Sequence, residues 1–310
     1  MTHKMDSMLT PTTPAELAEA VRSAPRVIAV GAGTKPRLAR VADEFVRVST
    51  ERLRGIVEYE PSEFTFTALA GTPLRDIVAA LAERGQYLPF DPPWAEAGAT
   101  IGGTVAAGLN GAGRFRFGGQ RDFILGVRFV DGGGRLLRLG GKVVKNAAGF
   151  DLPKFFVGSL GRFGVLAEMT FKVFPRPAAA RTVRIAAGDI AAAVRVLTEA
   201  ASARWELDAL EAGLAEGAVY ARLAGPAAAL DALAGEMLSR WPGAVLPAGE
   251  AENFWRGLAG FGWAHAGGTL VKLALTPAQV EAFAAVVRGI TGARGWIGAG
   301  GNTGYLSLPA

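Results

Sequence analysis

The chain contains no cysteine. That single absence excludes disulfides, thiolate zinc sites, cysteine nucleophiles and iron–sulfur clusters held by this chain. Histidine is nearly absent too: His3 and His265 are the only two in 310 residues. A multi-histidine metal centre and a Ser-His-Asp hydrolase are therefore disfavoured, and no metal is expected. No apolar run is long enough to span a bilayer. The opening stretch, MTHKMDSMLTPTTPAEL, lacks the continuous apolar segment of a signal peptide. We expect a cytoplasmic protein, peripheral at the inner membrane only through partners. Net charge is +5, and Arg114, Arg116 and Arg121 form the one local basic cluster. Scattered charge of this kind argues against nucleic-acid binding.

Apolar residues and glycine are abundant. Half the residues are hydrophobic, enough to fill two cores in a chain of this length. Eight glycines fall within the 22 residues of GATIGGTVAAGLNGAGRFRFGG, residues 98–119. The rigid Pro89, Phe90, Asp91, Pro92 and Pro93 stand just before it. Glycine is concentrated where bare backbone must bend sharply or approach another group. Ile101, Val105 and Leu109 are spaced through the run, so it reads as a tight loop entering a short helix capped by Thr100. Such a helix start is expected to offer free N–H groups to a phosphate.

The remaining pattern is mixed α and β. Thr13, Pro14 and Glu16 mark a capped helix start, and Thr72 and Pro73 a second. Strands are expected at residues 26–30, 46–48, 55–59, 65–70, 127–130, 136–139 and 165–173. Beyond Pro177 a βαββα order followed by a second strand–helix–strand set predicts a small antiparallel sheet with helices on one face. This divides the chain into residues 1–176 and 177–310.

Three stretches carry candidate chemistry. Gly31, Ala32, Gly33, Thr34 and Lys35 follow a buried strand. A Rossmann fingerprint fails there, because Pro36 occupies the place of the third glycine. A backbone nest for an anion, with Lys35 for charge, and an ordinary β-turn both remain open. The glycine run is the second stretch. The third is GGKVVKNAAGFDL, with Lys145, Asn146, Gly149 and Asp151, followed by GSLGRFGVL ending at Leu166.

GAGTK, AGTPL, PFDPP, GATIGGTVAAGLNG, DFILGVRFVDGGG and KNAAGFDLPKFFVGSLGRFGVLAEMTFKVFPRP occur in this order. Together they resemble the flavin-binding domain of the vanillyl-alcohol-oxidase/PCMH superfamily. Within it the chain is similar to the E subunits of bacterial glycolate oxidase (glycolate dehydrogenase). The resemblance covers residues 25–177. It implies an α+β fold: a PCMH-type FAD-binding domain of two α/β subdomains, then a smaller ferredoxin-like α+β cap domain. It also implies FAD. The diphosphate would be held by Gly31, Ala32, Gly33, Thr34 and Lys35 together with Thr100, Ile101, Gly102, Gly103 and Thr104. Gly71, Asp91, Pro92, Pro93, Gly108, Asn110 and Val165 would line the nucleotide and isoalloxazine, with Lys145, Asn146, Gly149 and Asp151 nearby. Relatives that attach FAD covalently use His or Cys. This chain has no cysteine and no histidine in these motifs, so non-covalent FAD is expected.

The implied activity is oxidation of a 2-hydroxy acid to the 2-oxo acid, with hydride passing to the flavin. The implied partners are a paralogous FAD-binding D subunit and an iron–sulfur F subunit. A carboxylate substrate calls for a cationic clamp, and Arg114, Arg116 and Lys145 are the basic candidates. No catalytic base is evident; His265 is the one candidate histidine, with a structural role equally open. Trp255, Phe261 and Trp263 suit either a contact surface or core packing. Two functions follow: a hydroxy-acid dehydrogenase subunit, or a flavin-binding assembly and electron-transfer subunit without substrate chemistry. A cell-wall enolpyruvyl-sugar reductase on the same flavin fold is a weaker third reading.

Overall fold

The computed structural model describes residues 8–35, 44–141 and 151–310. They form two compact units: Met1–Asn110 with Gly119–Arg176, and Gly111–Gly118 with Pro177–Ala310. A cut near residue 176 therefore misplaces one segment, the arginine-bearing stretch Gly111–Gly118, which belongs to the second unit.

The first unit opens with α1 (Pro14–Arg22). The Thr13 hydroxyl accepts the Glu16 N–H at 3.1 Å, and Pro14 occupies the first turn, where its missing N–H costs nothing. Strands β1 (Val27–Val30) and β2 (Val46–Ser49) pair in parallel. Next come β3 (Ile56–Glu60), β4 (Thr65–Leu69), α2 (Leu74–Ala82), β5 (Gln86–Tyr87) and α3 (Ile101–Ala107). The unit closes with β6 (Ile124–Val130), β7 (Leu136–Gly140), β8 (Val165–Lys172) and β9 (Phe174–Pro175). The larger sheet is antiparallel in the order β3-β4-β8-β6-β7. Leu17, Ala18 and Val21 of α1 pack with Val48 and Leu53 against Val130, Val165 and Ala167, joining the parallel pair to that sheet.

One local expectation is corrected. Thr72 does not cap α2: its hydroxyl donates to the Leu69 carbonyl at 2.7 Å, and Pro73 takes the cap position with no side-chain bond. Phe90 is fully buried against Phe123 and Phe171, at 5.6 and 6.1 Å between ring centroids. That anchor holds the proline-rich loop, in which Asp91 and Trp94 adopt left-handed φ of 46° and 58°.

The second unit contains α4 (Arg114–Phe117), β10 (Ala179–Ala186), α5 (Ile190–Ser202), β11 (Ala209–Gly213), β12 (Ala218–Gly225), α6 (Ala227–Arg240) and β13 (Gly243–Val245). After these come α7 (Ala248–Ala259), β14 (Thr269–Ala274), α8 (Val280–Gly289), β15 (Arg294–Gly298) and β16 (Thr303–Leu308). Its seven-stranded antiparallel sheet runs β13-β10-β12-β11-β15-β16-β14. The first four strands, with α5 and α6, make a complete ferredoxin-like βαββαβ unit. β14, α8, β15 and β16 repeat its βαββ part, joined through β11 and β15. Helices α5, α6 and α8 bury one sheet face, with Leu197, Met237 and Phe283 in the core. The expectation of helices on one face fails at α7. Its Phe254, Trp255 and Leu258 pack on the opposite face over Tyr220, Trp296 and Tyr305.

Candidate functional site

The loop after β1 and the start of α3 converge within the first unit. A side chain on Gly31 would place its Cβ 2.7 Å from the Thr100 hydroxyl oxygen, so only glycine permits this approach. Gly33 has φ +67°, the left-handed geometry that turns successive amides towards one centre. Among the described residues, the amides of Ala32, Gly33, Thr34 and Lys35 meet no protein acceptor. This is the arrangement of an open nest.

The start of α3 behaves differently, and this corrects the expectation of free donors. The Ile101 N–H donates to Thr72 O at 3.0 Å and the Gly102 N–H to Ala70 O at 2.9 Å. The Gly103 N–H donates to the Thr100 hydroxyl at 3.2 Å, and the Thr104 N–H to Thr100 O at 2.9 Å. Every first-turn donor is used inside the protein. Gly102 serves packing, since a Cβ there would lie 2.8 Å from Ala70.

Between these elements lies a cavity of about 260 Å³. Gly31, Ala32, Gly33, Thr34 and Lys35 form one wall, and Thr100, Gly102 and Gly103 with Ala106 and Ala107 form another. Ser159, Leu160, Gly161 and Gly164 close the third side, with Ala70 and Leu166 among the lining. The third wall is clipped to the end of α3 by Gly158 N–H to Val105 O at 2.9 Å and Leu160 N–H to Ala106 O at 3.0 Å. The lining is small and mostly apolar, and this space suits one part of a dinucleotide, such as the diphosphate and its flanking sugar chain.

Among the described residues, two polar groups at this cavity lack a full complement: a lysine without a carboxylate and a hydroxyl without a hydrogen-bond partner. Lys35 is half-buried and, among the described residues, pairs with no carboxylate. Its ammonium donates to the Thr34 hydroxyl at 3.2 Å and stands 5.2 Å from the Trp94 ring centre. Burial holds its pKa down to about 8. Ser159 is 7% exposed, and among the described residues its hydroxyl has no partner. A buried hydroxyl without a partner is costly, and here it borders a cavity that a ligand oxygen would complete.

The other sequence candidates lie elsewhere. Gly71, Asp91, Pro92, Pro93, Ile101, Thr104, Gly108, Asn110, Asp151 and Val165 do not line the cavity. Gly71 runs against backbone: its Cβ would sit 1.8 Å from Thr50 O. Gly108 packs on Gly158, at 2.9 Å for a Cβ. Asn110 accepts the Gln120 N–H at 2.8 Å, and Asp151 pairs with Lys154 at 2.9 Å. Lys145, Asn146 and Gly149 lie outside the described residues, as does His3. Arg114 and Arg116 belong to the second unit, where Arg116 is bound by Glu206 and Asp208, each at 3.0 Å. His265 is anchored, with Nε2 2.6 Å from Gly292 O and its backbone N–H donating to Ser307. Trp255, Phe261 and Trp263 pack together in the aromatic layer beneath α7, and Trp255 Nε1 donates to the Thr182 hydroxyl at 2.8 Å. Ser159 and Gly161 were missed as site residues, although GSLGRFG already combined a hydroxyl with closely spaced glycines. Among the described residues no cluster of His, Asp or Glu could hold a metal, and no helix is long and apolar enough to cross a membrane.

Residues 5–140 match the family described as the FAD binding domain. The chain is 52% identical over 131 residues to glycolate oxidase subunit GlcE of Escherichia coli, covering 42% of this chain and 37% of that protein. The chain is 30% identical over 154 residues to glycolate oxidase subunit GlcD of Bacillus subtilis, covering 50% of this chain and 33% of that protein. A D-2-hydroxyglutarate dehydrogenase of Xanthomonas citri is 33% identical over 130 residues, covering 42% of this chain and 27% of that protein. The matched segment thus spans between about a quarter and two-fifths of these relatives. A solved alkyldihydroxyacetonephosphate synthase superposes with a TM-score of 0.76 at 16% identity, over 98% of this chain and 67% of that chain. The α+β, PCMH-type fold expected from the motifs is the fold observed. The cofactor of the FAD-binding domain is FAD. The cavity fits a part of it: an open amide nest, an unneutralised lysine and an unpartnered hydroxyl are what a diphosphate requires.

Proposed function

We propose that this chain is the FAD-binding subunit of a glycolate/D-lactate (2-hydroxy acid) dehydrogenase complex, held with a paralogous flavin subunit and an iron–sulfur partner. The observation that carries this reading is the cavity with Lys35, the amides of residues 32–35 and the Ser159 hydroxyl converging inside a domain whose relatives include glycolate oxidase subunits. When bound, FAD supplies the two-electron acceptor for hydride leaving the substrate carbon. The chain's own groups hold it. Lys35 neutralises one phosphate charge, the nest amides donate to phosphate oxygens, and Ser159 donates a further bond. The small residues Gly103 and Ala107 let the cofactor approach backbone, and Ala70 and Leu166 keep water from that side. Attachment is non-covalent: the chain has no cysteine, and His265 is tied to the Gly292 carbonyl. Electrons leave through a partner, because this chain supplies no thiolates for a cluster.

The second reading is a flavin-binding assembly and electron-transfer subunit. Anaerobic addition of glycolate or D-lactate to the purified, flavin-loaded chain separates the two. Bleaching of the flavin absorbance supports the dehydrogenase. Flavin that stays oxidised with both acids, yet is reduced once partner subunits are added, supports the assembly role. Acid precipitation should leave all flavin in the supernatant; flavin retained on the pellet would refute non-covalent binding.

A further inference from the structure

The sheet of the second unit is built from two copies of one motif, and only the first copy is complete. The first has β10, α5, β11, β12, α6 and β13; the second has β14, α8, β15 and β16. The strand orders β13-β10-β12-β11 and β14-β16-β15 set them in correspondence. β14 takes the place of β10, β16 that of β12 and β15 that of β11. Helix α5 packs on β11 and β12, and α8 packs on β15 and β16 in the same way. The first copy adds α6, which packs across β10 and β12, and β13, which pairs antiparallel with β10. Among the described residues the second copy has no counterpart of either. β14 is therefore an edge strand with an unpaired row of backbone N–H and C=O groups.

The side chains at this edge follow the topology. In the first copy Val183 and Ile185 of β10 are fully buried and share a core with Leu230, Ala234 and Met237 of α6. In the second copy the corresponding face of β14 carries Val271 and Leu273. Val271 is paired with Leu306, which packs on the helix-side core. Leu273 is paired with Gly304, where a Cβ would meet Phe283 of α8 at 3.2 Å. Cross-strand partners share a face, so Val271 and Leu273 face the helical layer. Leu273 is nevertheless 37% exposed. Phe283, Val286 and Ile290 follow one another at spacings of three and four, a single stripe on the side where Phe283 reaches β16. Phe283 is buried, but Val286 is 57% and Ile290 38% exposed. Apolar side chains thus line the place that α6 takes in the first copy.

A second copy of this chain does not fill that place. Two sheets joined edge to edge through β14 would set the two α8 helices four strand steps apart, about 19 Å at the usual strand spacing. Packed helices lie about 8–10 Å apart, so a trough one helix wide would stay uncovered. The occupant must bring a helix of its own. We propose that the β14 edge and the exposed side of α8 are the docking site for a helix–strand segment of a partner subunit. Its helix lies over β14 and β16 with apolar residues at the spacing of Leu230, Ala234 and Met237 in α6. Its strand pairs antiparallel with β14, as β13 does with β10. The identity of the partner, a subunit of the same complex, rests on the proposed function; the site itself rests on the repeat.

The test uses the full chain with its flavin, alone and co-expressed with the paralogous flavin subunit and the iron–sulfur subunit. Hydrogen exchange read by mass spectrometry should show residues 269–274 of the free chain exchanging about tenfold or more faster than residues 179–186, and slowing by a similar factor in the complex. Leu273→Glu and Val286→Glu replace exposed side chains, so flavin content and circular dichroism should stay at wild-type values. Each should weaken assembly by about tenfold or more, because docking would bury an unpaired charge. Residues 269–274 as protected as 179–186 in the free chain would overturn the open edge. Assembly that leaves 269–274 exchanging at the free-chain rate, or that both variants retain at full strength, would overturn the docking site and leave the proposed complex standing. Dimerisation of the free chain in sedimentation velocity, abolished by both variants, would overturn the partner segment in favour of a second copy. Failure to assemble with either subunit would refute the proposed complex and the docking with it. Assembly through β14 without oxidation of glycolate or D-lactate would refute the dehydrogenase reading alone.

Discussion

Replacing Lys35 by methionine should move stability and flavin affinity in opposite directions. Burial takes the Lys35 pKa from its ordinary 10.5 to about 8. At about 1.4 kcal/mol per pH unit, that shift corresponds to a cost of about 3.5 kcal/mol for keeping the ammonium charged, and residual solvent contact reduces it to about 1–2 kcal/mol. The folded-state pKa lies below the unfolded one, so the unfolded chain binds more protons between about pH 8 and 10.5. The cost is therefore fully present below pH 8 and disappears as pH rises through that window. Apo protein should gain about 1–2 kcal/mol of stability between about pH 8 and 10.5, and Lys35→Met should remove that slope and stabilise apo protein at pH 7. Binding runs the other way. A diphosphate beside Lys35 favours the ammonium and raises its pKa, so flavin affinity should fall as pH rises above about 8. Loss of one charge-assisted bond should weaken flavin binding at pH 7 by about 10- to 100-fold in Lys35→Met. Urea denaturation of apo protein and fluorescence titration with FAD measure the two effects. A variant that is no more stable than wild type as apo protein, or that holds FAD as tightly at pH 7, would refute the argument.

Gly31→Ala should abolish flavin retention while leaving the far-ultraviolet circular dichroism intact, because its Cβ would meet the Thr100 oxygen at 2.7 Å and part the two cavity walls; retained flavin would count against their convergence. Gly71→Ala should instead lower the unfolding free energy by about 3 kcal/mol or more, since a Cβ 1.8 Å from Thr50 O forces backbone to shift. A near-neutral Gly71→Ala in chemical denaturation would contradict that packing. Ser159→Ala should stabilise apo protein by about 1 kcal/mol, through loss of an unpartnered buried hydroxyl, and weaken FAD binding several-fold. If Ser159→Ala leaves the FAD dissociation constant unchanged, the hydroxyl does not face the cofactor.

Much of the secondary structure was legible because its signals are local. Thr13 and Pro14 mark the start of α1, and the Asp131–Gly134 turn separates two apolar strands. Three elements were not legible. Helix α7 carries a short apolar stripe, Phe254, Trp255 and Leu258, but none of its residues is fully buried and the helix was not read from the sequence. The last strand lies in GNTGYLSLPA, a glycine-bearing segment whose strand character comes from pairing with β14 and β15. The segment Gly111–Gly118 leaves the first unit and joins the second, and nothing in its composition marks that exchange.

The flavin site divides in the same way. Which residues carry the glycine loops, and that no cysteine can anchor a flavin or a cluster, are properties of the sequence alone. Which donors remain free is a tertiary matter. The N–H groups of Ile101 and Gly102 look available in the sequence, and they are consumed because Ala70 and Thr72 pass within hydrogen-bonding distance. The amides of residues 32–35 stay open because no described strand runs beside them. A hydrogen bond depends on what lies within about 3 Å, and the neighbours at that distance are set by chain segments remote in sequence.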